Sequence, residues 1–418
     1  MSIDTTVTII GAGQAGLAMS RCLTDQAVDH VVLERGRVAE RWRSERWDSL
    51  KLLTPNWMSR LPGWQYQGPD PEGFMSMPEI TRYLTDYANS FSAPVQDETT
   101  VFRARQTETG FELETNQGLV TSRFLVVATG AAAAPAIPAI ASALPADVFQ
   151  IAPKFYKNPD QLPDGRVLVV GASASGVQLA EEIHASGRPV TLAVSGHTRM
   201  PRTYRGYDIQ LWLDLMGVLD RSYDTFGDLE AARRAPSLQL VGGRNGADID
   251  LASLRAQGVE LAGRLTGVDG NRISFADDLR GTILAADDAN RRLLDRMDRW
   301  AVETGLHAEI DPISRPTPVY AGKPVRQTRV GSSGIGTVLW ATGYRPDHSW
   351  VDMDVLDARG DIEHDGGIVT RAPGMYLLGL PMLRTRKSTF IDGVGADAQA
   401  LCDDLVGRLH RTGSPAVA

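Results

Sequence analysis

Short, wholly apolar runs that end in glycine organise this chain. Val7–Ile10 and Val167–Val170 each lead into a glycine-rich corner and then a helix-like stretch, giving VTIIGAGQAGLAMSRCL (7–23) and VLVVGASASGVQLAEEI (167–183). Runs of this length, bounded by turn residues, read as buried strands. His30–Leu33 and Val190–Val194 follow the two helices and complete two strand–helix–strand units. Much later each unit closes on a strand ending in Ala-Thr-Gly: FLVVATG (124–130) and TVLWATGY (337–344). Alternation through FELETNQGLVTSRFLVV (111–127), with Gly118 at its turn, predicts a β-hairpin. Ile80, Tyr83, Leu84 and Tyr87 predict a core-facing helix over Pro78–Phe91. Leu293, Leu294, Met297 and Trp300 predict another over Ala286–Thr304, and Gly393–His410 reads as a closing helix. The proline-rich AAAAPAIPAIASALPADV (131–148) predicts a crossing between domains.

The corners carry chemistry. Gly11, Gly13 and Gly16 spell G-x-G-x-x-G between strand and helix, with Ala15 inside the turn. The first glycine permits the tight turn and the second lets backbone approach a pyrophosphate. The third lets helix and strand pack, and the helix N-terminus faces the phosphate charge. The next strand ends at Glu34, followed by Arg35, and a carboxylate there suits ribose hydroxyls. The plain alternative is a glycine turn that only packs a helix on a sheet. Gly171, Ser173 and Gly176 repeat the pattern, with Ser175 beside them. Thr129 and Gly130, and Ala341, Thr342 and Gly343, close the units next to these turns. The second unit has Ser195 where the first has its acid, and SGHTRMPRTYRG (195–206) then brings His197, Arg199, Arg202 and Arg205. An edge without a carboxylate and rich in guanidinium suits a ribose 2′-phosphate, unless these are solvated loop charges. FAD at the first turn and NADPH at the second is the economical assignment, because hydride passes readily between them.

Composition narrows this. A length of 418 residues exceeds one ordinary core and predicts two domains. The predicted fold is α/β with two Rossmann-like domains of the glutathione-reductase type, the NADPH domain inserted into the FAD domain. The expected parts are 1–162 (FAD), 163–333 (NADPH) and 334–418 (FAD, closing part). A formal charge of −8 excludes a broad nucleic-acid surface. No apolar run is long enough to cross a bilayer, and no signal peptide is visible. Cys22 and Cys402 lie near opposite ends with no Cys-x-x-Cys, which predicts a cytoplasmic protein without a dithiol centre. Seven histidines at scattered spacing predict no metal site. Whether the chain works as a monomer or a homodimer stays open.

At this point the chain resembles the class B flavin-containing monooxygenases, with the plant indole-pyruvate oxygenases and Baeyer–Villiger relatives. RWRSERWDSLKLLTP (41–55) is similar to the plant enzymes' W-x4-Y-D-x-L-x-L-x2-P segment, with Trp42, Trp47, Asp48, Leu50, Leu52 and Pro55 at matching spacing. WATGYRPD (340–347) resembles the family's second Ala-Thr-Gly link and FIDGVGADA (390–398) its closing flavin-side turn and helix. The family's F-x-G-x3-H-x3-aromatic stretch is poorly kept: Ala146, Val148 and Ala152 stand at its phenylalanine, glycine and histidine positions, and Tyr156 and Lys157 remain. The resemblance implies that NADPH reduces FAD and that O2 forms a flavin C4a-(hydro)peroxide, which oxygenates a small molecule. N- or S-oxygenation, Baeyer–Villiger insertion and oxidative decarboxylation are all consistent with it. It also implies Arg41, Trp42 and Leu52 as cofactor contacts and Asn56 as the catalytic amide, although Asn56 also reads as a turn residue after Pro55. Met200–Gly217 and Leu238–Ala285 are expected to shape the substrate entrance, and Arg384, Arg386 and Lys387 to recognise an anion or remain solvated. Two alternatives stay open: an electron-transfer reductase of similar build, and a redox sensor.

Overall fold

In the computed structural model, which describes residues 2–242, 248–331 and 334–413, the run Val7–Ile10 is the buried end of a longer strand, Ser2–Ile10. The outer half of that strand alternates in exposure, and its inner half is covered on both faces. It lies between His30–Leu33 and Gly118–Val127, parallel to both. Ile10 stands opposite Leu33 on one side and Val127 on the other, so three strand ends finish at one level. Val95–Gln96 extends the sheet on one flank, and Met375–Leu377 adds beside the inner half of Gly118–Val127. The outer half of Gly118–Val127 pairs antiparallel with Phe111–Thr115 as the expected hairpin, Thr115 opposite Gly118.

The second sheet repeats this plan with all five strands parallel: Phe149–Ile151, Ile335–Trp340, Arg166–Val170, Val190–Ala193 and Glu260–Ala262, in that spatial order. Val170 is level with Ala193 and Trp340, as Ile10 is with Leu33 and Val127. A three-stranded antiparallel sheet, Leu265–Asp269, Arg272–Phe275 and Gln327–Arg329, follows it, much as the hairpin follows in the first unit.

Two expected boundaries move. Phe149–Ile151 already pairs in the second sheet, so the chain enters that unit before residue 162. Ile335–Trp340 also belongs there and not to the closing part, and the chain rejoins the first sheet at Met375–Leu377. Ser333, at the expected 333/334 boundary, lies outside the described residues, as do residues 243–247 within the expected entrance segment. The proline-rich crossing is confirmed in form: Ala134–Pro135 pairs antiparallel with Tyr344–Arg345, so the two passages between sheets run side by side.

The helices follow their apolar stripes. Met77–Ser90 begins at a capping box, Ser76 with Glu79, and Pro78 sits in its first turn. Leu279–Glu303 starts a full two turns before the predicted Ala286, because Leu279 and Ile283 continue the buried stripe. Ile391–Gly413 closes the chain. The arm Met200–Gly217 is no loose linker. Met200, Tyr204, Ile209, Trp212 and Leu213 pack on Leu293, Leu294 and Met297 of the long helix, with Met58 of the first unit and Phe390 at the edge. Trp212 stacks edge-on to Trp300 at 6.2 Å and donates its Nε1–H to the Tyr204 carbonyl at 2.8 Å. This cluster joins the two units.

Candidate active site

The level strand ends put Gly11, Glu34 and Ala128 side by side, and a cavity of about 670 Å³ lined by all three opens there. Gly11 has φ +106°, and a Cβ on it would stand 2.7 Å from the Ala128 carbonyl oxygen. A Cβ on Gly16 would stand 1.8 Å from the Gly11 oxygen, so the helix Gln14–Asp25 rests directly on the turn. Gly13 differs, because no atom lies within 4 Å of where its Cβ would be. Two glycines therefore shape the corner, and the middle one leaves open space at the helix N-terminus, where an anion is favoured.

Glu34 is buried at the cavity wall. Its carboxylate accepts from the Ala12 N–H at 2.8 Å and the Gly36 N–H at 3.1 Å. A carboxylate offers about four acceptor positions, so capacity for hydroxyls remains. Ala15, Arg35, Arg41, Trp42, Thr129 and Gly130 line the same cavity. Trp42 donates its Nε1–H to Gln14 at 3.1 Å, and the Arg46 guanidinium lies 5.3 Å from the Trp42 ring centre. Arg35, Arg41 and Lys154 all converge on the single carboxylate of Glu45, which leaves that end locally positive. Burial lowers the Arg41 pKa, with Glu45 opposing the shift. From the C-terminal side Gly379 and Thr389 complete the lining, and the Gln14 side chain donates to the Thr389 carbonyl at 3.4 Å.

The second turn is built the same way. Gly171 has φ +107°, and its Cβ would meet the Ala341 oxygen at 2.4 Å, while a Cβ on Gly176 would meet the Gly171 oxygen at 1.9 Å. Ser173 occupies the N-cap of Ala174–Ala185, as Gly13 does in the first unit, with Ser175 half-buried in the first turn. The alanine of each Ala-Thr-Gly thus lies under the first glycine of its own fingerprint. Thr342 and Gly343 instead join the passages, through Thr342 Oγ1 to the Ala136 carbonyl at 2.8 Å and the Ala136 N–H to the Gly343 carbonyl at 2.9 Å. Just beyond the second strand, His197 Nδ1 lies 3.1 Å from the Ser195 carbonyl, and burial lowers the imidazole pKa, which favours the neutral form.

Arg199 and Arg202 are corrected. Arg199 donates to Asp250 at 2.7 and 3.0 Å, to Asp287 at 2.7 Å and to the Thr317 carbonyl at 2.9 Å. Arg202 donates to the Leu53 carbonyl at 2.8 Å, pairs with Asp208 and covers the Phe74 ring at 4.9 Å. Arg205 is held by Asp298 at 3.2 Å and the Asp311 carbonyl at 2.7 Å. All three arginines are buried. Arg199 and Arg205 lie against the long helix and the stretch after it, Arg202 against Leu53 and Phe74, and all three need carboxylate partners, since a buried unpaired charge is costly. They hold the arm in place, their guanidinium groups turned to carboxylates and carbonyls of the protein itself.

Asn56 is corrected as well. It begins a single 3-10 turn, its Nδ2–H donates to the Asp70 carbonyl at 2.9 Å, and its Oδ1 accepts from the Met75 N–H at 2.8 Å. The amide clamps a loop and does not line the cavity. Leu52 also lies elsewhere, buried at the seam where its carbonyl presses on Gly242. Trp42 lines the cavity, whereas Trp47 belongs to the second unit's core.

Arg46, Lys154, Asp347, Ser349, Trp350 and Gly379 also line the cavity; Arg46 and Asp347 lie inside the two family-like segments without having been singled out, and no sequence pattern marked the other four. Of Tyr156 and Lys157, left from the degenerate stretch, Lys157 ties the units together, donating to the Arg46 carbonyl at 2.8 Å, while Tyr156 donates to Glu182 at 2.8 Å within the second unit. Lys387 pairs with Asp220 at 2.8 Å and Asp392 at 3.1 Å, and Arg384 donates to the Gly366 carbonyl at 3.0 Å, so both are structural.

Comparison with known proteins adds the following. Residues 8–215 match a family described as pyridine nucleotide-disulphide oxidoreductase. An uncharacterized CzcO-like oxidoreductase of Geobacillus kaustophilus is 33% identical over 406 residues, 96% of this chain and 98% of that one. The probable indole-3-pyruvate monooxygenase YUCCA9 of Arabidopsis thaliana is 32% identical over 213 residues, 47% of this chain and 49% of its own length. A solved flavin-containing monooxygenase from Stenotrophomonas maltophilia has a similar fold, with a TM-score of 0.67 at 18% identity over 97% of this chain and 99% of that one.

Proposed function

We propose that this chain, which belongs to the class B flavin-containing monooxygenase family, is an FAD monooxygenase that accepts hydride from NADPH and uses O2 to oxygenate a small organic substrate. The observation that carries this reading is the doubled stack of glycine turn over Ala-Thr-Gly alanine, joined by two adjacent passages. Among the described residues, only the first turn has a buried acid directly at the end of its second strand. Gly11 and Gly16 set the corner for FAD, the open Gly13 position and the helix N-terminus would take its pyrophosphate, and Glu34 its ribose. Gly171, Ser173, Ser175 and Gly176 would do the same for NADPH. When bound, the flavin supplies hydride acceptance and oxygen activation.

The chain's own part is to hold the two nucleotides in fixed relation and to keep water out. The two passages, the Lys157–Arg46 tie and the Met58–Trp212–Met297 cluster supply rigidity across the seam. Trp42 and Trp350 give the cavity wall apolar surface, which favours oxygen transfer to substrate over loss as hydrogen peroxide. The FAD domain would then comprise the chain up to about the first passage and again from the second, with the NADPH domain between.

A reductase that works through a dithiol is disfavoured. Cys22 and Cys402 are buried, and burial pushes their thiols up to about 12 and about 11, which suppresses the reactive thiolate. The deciding experiment supplies NADPH and isotopically labelled dioxygen with a panel of amines, sulfides, ketones and 2-oxo acids. One labelled oxygen atom in a product, formed in step with NADPH consumed, is the expected result. NADPH consumption with no label in any product, and electrons recovered in hydrogen peroxide or an added acceptor, would overturn it.

A further inference from the structure

We infer that the second nucleotide site does not select the 2′-phosphate, so the enzyme takes NADH about as well as NADPH. This rests on the reading of Gly171–Gly176 as the nicotinamide-coenzyme turn and goes beyond it by assigning the coenzyme specificity. Strand–turn–helix sites discriminate at the end of the second strand. A carboxylate there accepts from the free ribose hydroxyls, and a guanidinium there pairs with the phosphate.

Neither device is present among the described residues. The strand Val190–Ala193 ends in Val194 and Ser195, so the carboxylate that Glu34 supplies in the first unit is missing. The three arginines that follow are held inside the protein by Asp250, Asp287, Asp208 and Asp298. Around Arg199 one cation faces two carboxylates, and Asp248 accepts from the Arg202 N–H at 2.6 Å close by. The electrostatics just behind this edge therefore offer no attraction for an added dianion. Burial lowers the His197 pKa, so its imidazole brings no charge near neutral pH. The phosphate is nonetheless admitted: nothing lies within 4 Å of where a Cβ on Gly196 would stand. Ser195 can hydrogen-bond to a hydroxyl or to a phosphate oxygen, and so accepts both coenzymes.

The test titrates the flavin-loaded protein with NADP+ and with NAD+ by calorimetry and measures flavin reduction by NADPH and NADH in the absence of oxygen. Dissociation constants and reduction rates within about tenfold of each other are expected. A preference for NADP+ of a hundredfold or more would overturn the inference, even with the coenzyme turn correctly placed. Binding of neither nucleotide would instead remove the turn assignment itself. Two variants sharpen the result. Ser195→Arg should tighten NADP+ at least tenfold while leaving NAD+ and the melting temperature nearly unchanged. Arg199→Lys should lower the melting temperature and leave the NADP+ to NAD+ ratio within about threefold of the parent. A selective loss of NADP+ affinity in that variant would show that Arg199 reaches the phosphate after all.

Discussion

Individual glycines and amides have separable duties here, and substitutions sort them. A side chain at Gly13 meets open space in the protein alone, whereas one at Gly16 runs into the backbone oxygen of Gly11. Gly13→Leu should fold with nearly the parent melting temperature yet lose FAD, because the leucine would fill the space meant for pyrophosphate. Gly16→Ala should lose about 3 kcal/mol or more in chemical denaturation, as an overpacked contact with unyielding backbone requires. Stoichiometric FAD in the Gly13 variant would move the binding site elsewhere. Asn56→Ala removes two hydrogen bonds to the loop at Asp70 and Met75. It should cost about 2 kcal/mol of stability and leave the fraction of NADPH lost as hydrogen peroxide unchanged. A rise in peroxide without a fall in stability would restore a catalytic role to that amide.

At the scale of elements, the closing helix Ile391–Gly413 carries a buried acid with a readable pH signature. Burial raises Asp397 to about 6, with hydrogen bonding from Ser388 and the charge of Arg384 acting the other way. One of its oxygens has no hydrogen-bond partner. A carboxyl whose folded pKa exceeds its unfolded value contributes fully below the unfolded pKa and loses that contribution as pH rises through the folded one. Near neutrality and above, the ionised group therefore weighs against the folded state. Asp397→Asn should be more stable than the parent, and its advantage should grow by about 1 kcal/mol between pH 5 and pH 8. A constant advantage across that range would show that Asp397 titrates normally. Elements were also what the sequence revealed best. Each strand–glycine–helix unit is local, so Val7–Leu23 and Val167–Ile183 could be read from spacing alone. The capping of Met77–Ser90 and the hairpin turn at Gly118 were equally local.

At the scale of the molecule, the sequence was silent wherever one segment covers another. Nothing in SGHTRMPRTYRG tells that Leu279–Glu303 will lie over it and turn its arginines from ligands into internal ion pairs. Lys154 and Trp350 reach the cavity only because the chain crosses twice between sheets. The cost of this arrangement is open to measurement at Arg202, which is 1% exposed and spans Leu53 and Phe74 of one unit and Asp208 of the other. Arg202→Ala strips the largely covered Asp208 carboxylate of its partner, empties a fully buried side-chain site and should destabilise the protein by about 3 kcal/mol. A loss below about 1 kcal/mol would mean that the units do not depend on that tie. The account as a whole requires the cavity beside Gly11, Glu34 and Ala128 to hold a flavin dinucleotide, so the most direct test is the flavin content of the protein. It predicts about one FAD per chain, released as intact dinucleotide on denaturation and regained when FAD is offered to the stripped protein. A colourless chain that takes up no FAD at any concentration offered would contradict it.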